Sequence, residues 1–200
     1  MRKFGLAAIV AAALAMPRDA SAQFPVAPFG TEGLSIFVNG NNPIVATYLG
    51  NSASFSNNLY LMLDAAGNPG DDGNLGNDMF LFNNQSSLVG STVNLGAFGL
   101  GTELIFRLFV QNTGEHFLTG PGIRNPDGLP HARVQNNWQP QTTLVSFEDL
   151  LNLPEYPDGF NDLSFSFTNT STAVVPEPSS VALVGLGVVA LFFVRRRRAA

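Results

Sequence analysis

The chain reads as an all-β protein: an antiparallel, jelly-roll-like β-sandwich between an N-terminal signal peptide and a single C-terminal transmembrane helix. Three observations predict this. Short apolar runs recur between turn clusters, several of them alternate with period two, and nothing between residues 23 and 168 sustains a 3.6-residue period. The runs lie at 34–38, 44–49, 59–63, 79–82, 88–95, 104–110, 132–134, 144–147 and 163–167. Turn clusters such as Asn39-Gly40-Asn41-Asn42-Pro43 and Ala66-Gly67-Asn68-Pro69-Gly70 separate them.

Taken in order, residues 23–33 form an extended lead-in, because Pro25 and Pro28 block helix. Leu104, Phe106, Leu108 and Val110 make one inward row, and the fairly apolar opposite face, Ile105 and Phe109 around Arg107, predicts a central strand. Leu163, Phe165 and Phe167 face one way and Ser164, Ser166 and Thr168 the other, which predicts a half-exposed strand. The best helical candidate is one or two turns over 147–153. The Ser/Thr/Ala segment at 169–174 reads as a linker.

Both ends carry targeting signals. Arg2 and Lys3 precede an alanine-rich apolar stretch, and Ala20-Ser21-Ala22 supplies the small-x-small pattern that signal peptidase reads, so the mature chain is expected to begin at Gln23. An uncleaved anchor is the alternative, but the apolar run is short for a span and Pro17 ends it. At the other end, residues 180–194 form the expected transmembrane helix. Arg195, Arg196, Arg197 and Arg198 would hold the C-terminus in the cytoplasm and leave the body outside.

Of the 10 basic residues, only Arg107, Arg124 and Arg133 lie in the body, whereas 13 of the 15 acids do, so its net charge is near −10. Such a surface repels nucleic acid and anionic lipid and attracts divalent cations. The chain has no cysteine, so an exported body must fold by core packing or metal binding.

Glu148, Asp149, Glu155, Asp158, Asn161 and Asp162 place five carboxylates and an amide oxygen in one short segment. Calcium takes six to eight oxygen ligands in flexible geometry, which such a loop could largely supply. A solvated acidic loop capping a short helix is the alternative. The second cluster, Asp71, Asp72, Asn74, Asn77 and Asp78, reads first as hairpin-turn chemistry.

Enzyme signatures are missing: there is no Gly-x-Ser-x-Gly, His-Glu-x-x-His or phosphate-cradling loop. A serine triad on His116 or His131, or glycoside hydrolysis by Glu148 and Asp158, trails well behind a non-catalytic reading. Tyr48, Trp138, Tyr156 and Phe160 are candidate sugar platforms, although core packing is the commoner fate of such rings.

Residues 175–198, with Val175-Pro176-Glu177-Pro178, a glycine-containing apolar stretch and the arginine cluster, resemble the PEP-CTERM sorting signal of exopolysaccharide-producing Gram-negative bacteria. The resemblance implies an exosortase, a membrane cysteine protease that cleaves near Pro-Glu-Pro. It further implies an inner-membrane intermediate with the body in the periplasm, then release to the cell surface or extracellular matrix, where exopolysaccharide is a candidate partner. Pro176, Glu177 and Pro178 are the expected recognition residues, since neither proline permits helix through the strip.

Residues 104–168 are similar to a secreted bacterial domain of unknown function that often accompanies such tails. The similarity rests on Phe147-Glu148-Asp149-Leu150, then Asp158-Gly159-Phe160-Asn161-Asp162 and Leu163-Ser164-Phe165, approached through residues 125–132. It strengthens the expectation of a calcium site at Glu148, Asp149, Asp158, Asn161 and Asp162. Gly159 replaces an expected Asp and Phe160 an expected Tyr, which removes one ligand.

Overall fold

The computed structural model describes residues 24–152 and 159–172. The expected signal peptide with its cleavage residues Ala20, Ala22 and Gln23, the candidate ligand Asp158, and the whole sorting tail lie outside them. Among the described residues no helix is long and apolar enough to cross a membrane.

The expected all-β class is observed, and every strand pair is antiparallel. The strands are β1 (Ile36–Val38), β2 (Ile44–Asn51), β3 (Asn57–Leu61), β4 (Met79–Asn83), β5 (Thr92–Gly96), β6 (Glu103–Leu104), β7 (Phe106–Val110), β8 (His116–Leu118), β9 (Ala132–Gln139), β10 (Thr142–Phe147), β11 (Leu163–Thr168) and β12 (Thr170–Ser171). They make a five-stranded sheet in the order β5-β2-β11-β10-β9, a four-stranded sheet β4-β3-β7-β8, and a small sheet β12-β1-β6.

The two larger sheets pack face to face over one core. Phe106 of β7 stacks on Phe167 of β11 at 4.0 Å, and Phe82 of β4 meets both Tyr48 of β2 and Phe165 of β11. Interior-facing residues alternate along the strands, as a half-buried sheet requires: Ile44, Ala46 and Tyr48 on β2, Leu59 and Leu61 on β3. β7 is central in its sheet, as its two-sided apolar pattern predicts.

Several local expectations are corrected. The run at 104–110 is two strands: β6 pairs with β1 and β7 with β3, and the chain changes sheets at Ile105, whose carbonyl accepts the Met62 N–H. Leu88 and Val89 are exposed residues ahead of β5 and not part of it. Residues 148–152 are loop and turn with no helix, because the backbone at Glu148 and Asp162 bonds to His131 and Phe147 instead of to a helical ladder. Thr170–Ser171, placed in the linker, form β12 on β1, so the folded body runs past residue 168.

β11 is not half-exposed. It lies between β2 and β10, and Ser164 and Ser166 are buried along with the phenylalanines. A register slip between β11 and β2 leaves Leu49 unopposed and aligns Gly50, Ser164, Ser146 and Arg133 across the outer face. The lead-in crosses that row. Phe24 lies against Gly50, the Ala27 N–H donates to Ser146 Oγ at 2.9 Å, and Ser146 Oγ bonds Ser164 Oγ at 2.9 Å. Beyond it, Glu32 pairs with Arg133 at 2.7 Å, and the Arg133 guanidinium sits 4.5 Å above the Phe160 ring.

Candidate functional site

β10 ends at Phe147 and delivers Glu148 and Asp149; Asp162 immediately precedes β11, its antiparallel neighbour. The pairing therefore brings the two acidic ends of the segment together. Carboxylate oxygens of Glu148, Asp149 and Asp162 lie within 4.8 Å of one another, and all three residues are buried. Asp162 Oδ2 accepts the Asp149 N–H at 2.8 Å, while Glu148 accepts the N–H groups of Leu150 and Phe160. From the opposite sheet, Asn57 Nδ2 donates to Asp149 Oδ2 at 2.7 Å.

Burial disfavours the ionised Asp162, and the neighbouring Asp149 and Glu148 charges and a carboxyl hydrogen bond with Glu148 disfavour it further. Its pKa is pushed up to about 8 although the Asp149 N–H opposes the shift. Burying like charges this close is costly unless a proton or a cation lies among them.

Asn161, the other candidate ligand among the described residues, has a different partner: its backbone carbonyl and Oδ1 both face Ser52 Oγ, at 2.8 and 3.2 Å. Behind Glu148 lies a support that spacing did not reveal. His131 stacks on Phe117 at 3.8 Å, its Nδ1 lies 3.2 Å from the Glu148 carbonyl, and its Nε2 lies 2.9 Å from Asp127 Oδ2. Burial would raise the Asp127 pKa, but the Leu129 N–H, His131 and the Asn152 N–H together hold it down to about 2. Asp127 thereby ties the 127–131 turn to Asn152, just beyond the acidic pair. The family-like approach at 125–132 was the only sequence signal for this contact.

His116 lies elsewhere, on the outer face of the four-stranded sheet. Its Nδ1 is 3.0 Å from Arg107 Nη1, and burial with the Arg107 charge lowers its pKa. Arg107 in turn pairs with Asp78 Oδ2 at 2.7 Å, while Asp78 Oδ1 accepts the Leu63 N–H at 3.1 Å and so closes the base of the β3–β4 connection. Asp71 and Asp72 do cap local N–H groups in the β3–β4 connection, as expected. Neither histidine bonds a serine hydroxyl among the described residues.

The expected sugar platforms disperse. Tyr48 is core and Phe160 is buried under Arg133; Trp138 is half-buried on β9, and Tyr156 is outside the described residues. An unanticipated strip replaces them on the outer face of the four-stranded sheet. Phe80, 52 % exposed, meets Tyr60 edge-on at 5.6 Å, Arg107 covers the Tyr60 ring at 4.3 Å, and Phe109 stacks on His116 at 4.7 Å.

Fold and site thus define an acidic, cysteine-free, antiparallel β protein with a buried carboxylate cluster at one end. The C-terminal segment gives its route: residues 174–198 match the PEP-CTERM protein-sorting motif, which implies an exported protein sorted through an exosortase-type system. No curated protein and no solved structure gives a significant match to the chain.

Proposed function

We propose that the body is a non-catalytic surface or matrix domain that binds a hard divalent cation of the calcium class. The carrying observation is the convergence of Glu148, Asp149 and Asp162, three buried carboxylates whose oxygens lie within 4.8 Å of one another. A divalent ion offsets the cost that burial and the neighbouring Asp149 and Glu148 charges place on ionised Asp162, and carboxylates are the ligands calcium favours. Asp158 remains a further candidate in the same segment, whereas Asn161 Oδ1 faces Ser52 Oγ. In this reading the tail delivers the domain to the cell surface or extracellular matrix, where millimolar calcium would keep it loaded.

Calorimetric titration of the purified chain with Ca²⁺ tests this, together with melting curves in chelator and in millimolar Ca²⁺. Wild type should show binding and a rise in melting temperature, and Asp149→Asn with Asp162→Asn should lose both. No heat and no rise in the wild type would remove the proposal.

A second reading, attachment to exopolysaccharide, is supported by Phe80, since an exposed ring on a sheet face can stack on a sugar. Retention on a polysaccharide affinity gel that drops in Phe80→Ala would favour it; equal migration with and without polysaccharide would end it.

A further inference from the structure

The cation cluster draws its three carboxylates from one sheet only. Glu148 and Asp149 follow β10, and Asp162 precedes β11, both in the five-stranded sheet. Asn57, the first residue of β3, belongs to the four-stranded sheet and is wholly buried. Nearly all of its polar groups are accounted for. The backbone N–H donates to Asn84 Oδ1 at 2.8 Å, the carbonyl accepts from the Asn84 N–H at 3.1 Å and from Asn83 Nδ2 at 3.3 Å, and Nδ2 donates to Asp149 Oδ2. Only Oδ1 remains, a buried oxygen with no hydrogen-bond partner.

An orphaned buried amide oxygen is uncommon in a folded protein and calls for a physical explanation. Here the orphan belongs to an amide that already touches Asp149. Amide oxygens, like carboxylates, are hard ligands suited to calcium. We infer that Asn57 Oδ1 is a ligand contributed from the opposite sheet, so that a calcium-class cation held by Glu148, Asp149 and Asp162 clamps the two sheets together. This rests on the cation reading above and adds what the ion does: loading would hold β3 against the β10–β11 end. A structural amide whose oxygen merely meets a buried water is the competing account.

Two substitutions in the full chain separate these accounts. Asn57→Ala removes both the donor and the oxygen; Asn57→Asp keeps an oxygen ligand but loses the Nδ2 donor. Ca²⁺ affinity by calorimetry and melting temperature in chelator and in Ca²⁺ are measured for each. A ligand role predicts that Asn57→Ala weakens Ca²⁺ binding by about tenfold or more; because losing the Nδ2 contact to Asp149 would do the same, Asn57→Asp separates the two. It also predicts that Asn57→Asp melts lower than wild type in chelator but gains more than wild type from Ca²⁺. If Asn57→Asp lowers the melting temperature equally in chelator and in Ca²⁺, or if Asn57→Ala binds Ca²⁺ like wild type, the clamp is overturned and the three-carboxylate site stands. Should Asn57→Ala fail to fold, Asn57→Asp decides by itself. Absence of Ca²⁺ binding in wild type would overturn both.

Discussion

Asp162 accepts the Asp149 N–H and Asp127 the Asn152 N–H, yet their proton affinities are displaced in opposite directions. Asp162 titrates at about 8 in the fold against an ordinary 3.8, so its proton favours the folded state. That stabilisation is complete below the ordinary value and is lost as pH rises through about 8. Asp127 is held down to about 2, so its contribution is present above 3.8 and is lost as pH falls below that. The cation-free protein should therefore melt highest near pH 4 to 5 and progressively lower toward pH 9. Saturating Ca²⁺ should remove most of the alkaline decline, because the ion replaces the proton. Melting curves in chelator and in Ca²⁺ across this range check it; a flat chelator curve above pH 5 would contradict the buried cluster. Glu148, Asp149 and Asp162 were legible in the sequence because the spacer between them is short. Asn57 was not, since only the packing of one sheet on the other brings residues so far apart in the chain into contact.

At the scale of the element, β11 shows where a periodicity argument stops. The alternation of serine and phenylalanine correctly gives a strand with one apolar face, yet the serine face is also covered. Sequence pattern reports polarity, and Ser146 and Ser164 meet burial by bonding each other and the Ala27 N–H. The lead-in that covers them packs closely at Gly50. A Cβ there would lie 2.8 Å from Phe24 Cβ, and the backbone φ of +137° is one that side chains rarely adopt. Gly50→Ala should cost about 1–3 kcal/mol in urea unfolding. Combined with Phe24→Ala, the two losses should be less than additive, since both disturb one contact. Strict additivity would show that the lead-in does not pack on this face. The same limit explains β8: a three-residue strand with one inward side chain, Phe117, carries too short a pattern to be read alone.

For the whole molecule, the direction of β11 relates the cluster to the tail. The strand starts beside Asp162, and the chain then passes through Thr168 and β12 toward the sorting motif. Six strand residues at about 3.4 Å each separate the two ends by roughly 20 Å. The carboxylate cluster and Thr168 thus lie at opposite ends of β11, and the chain leaves the five-stranded sheet there for β12 on β1. If the tail holds the chain for processing, Glu177→Ala should slow removal of the C-terminus and surface delivery while leaving Ca²⁺ binding unchanged. Fractionation of the native host and the mass of the mature C-terminus measure this; unaltered processing would take Glu177 out of the recognition set.

The sequence by itself determined the route of export, the all-β class and the acidic segment, because each is written in contiguous residues: a tail motif, a period of two, and a short carboxylate-rich stretch. Only the tertiary structure decided which of those oxygens converge. It turned Asn161 toward Ser52, placed His131 and Asp127 behind Glu148, and brought Asn57 across from the other sheet. The physical reason is that a strand pattern specifies which face of a residue is inward, whereas a ligand cluster depends on which inward faces meet. That meeting is set by sheet order, register and the packing of two sheets over one core.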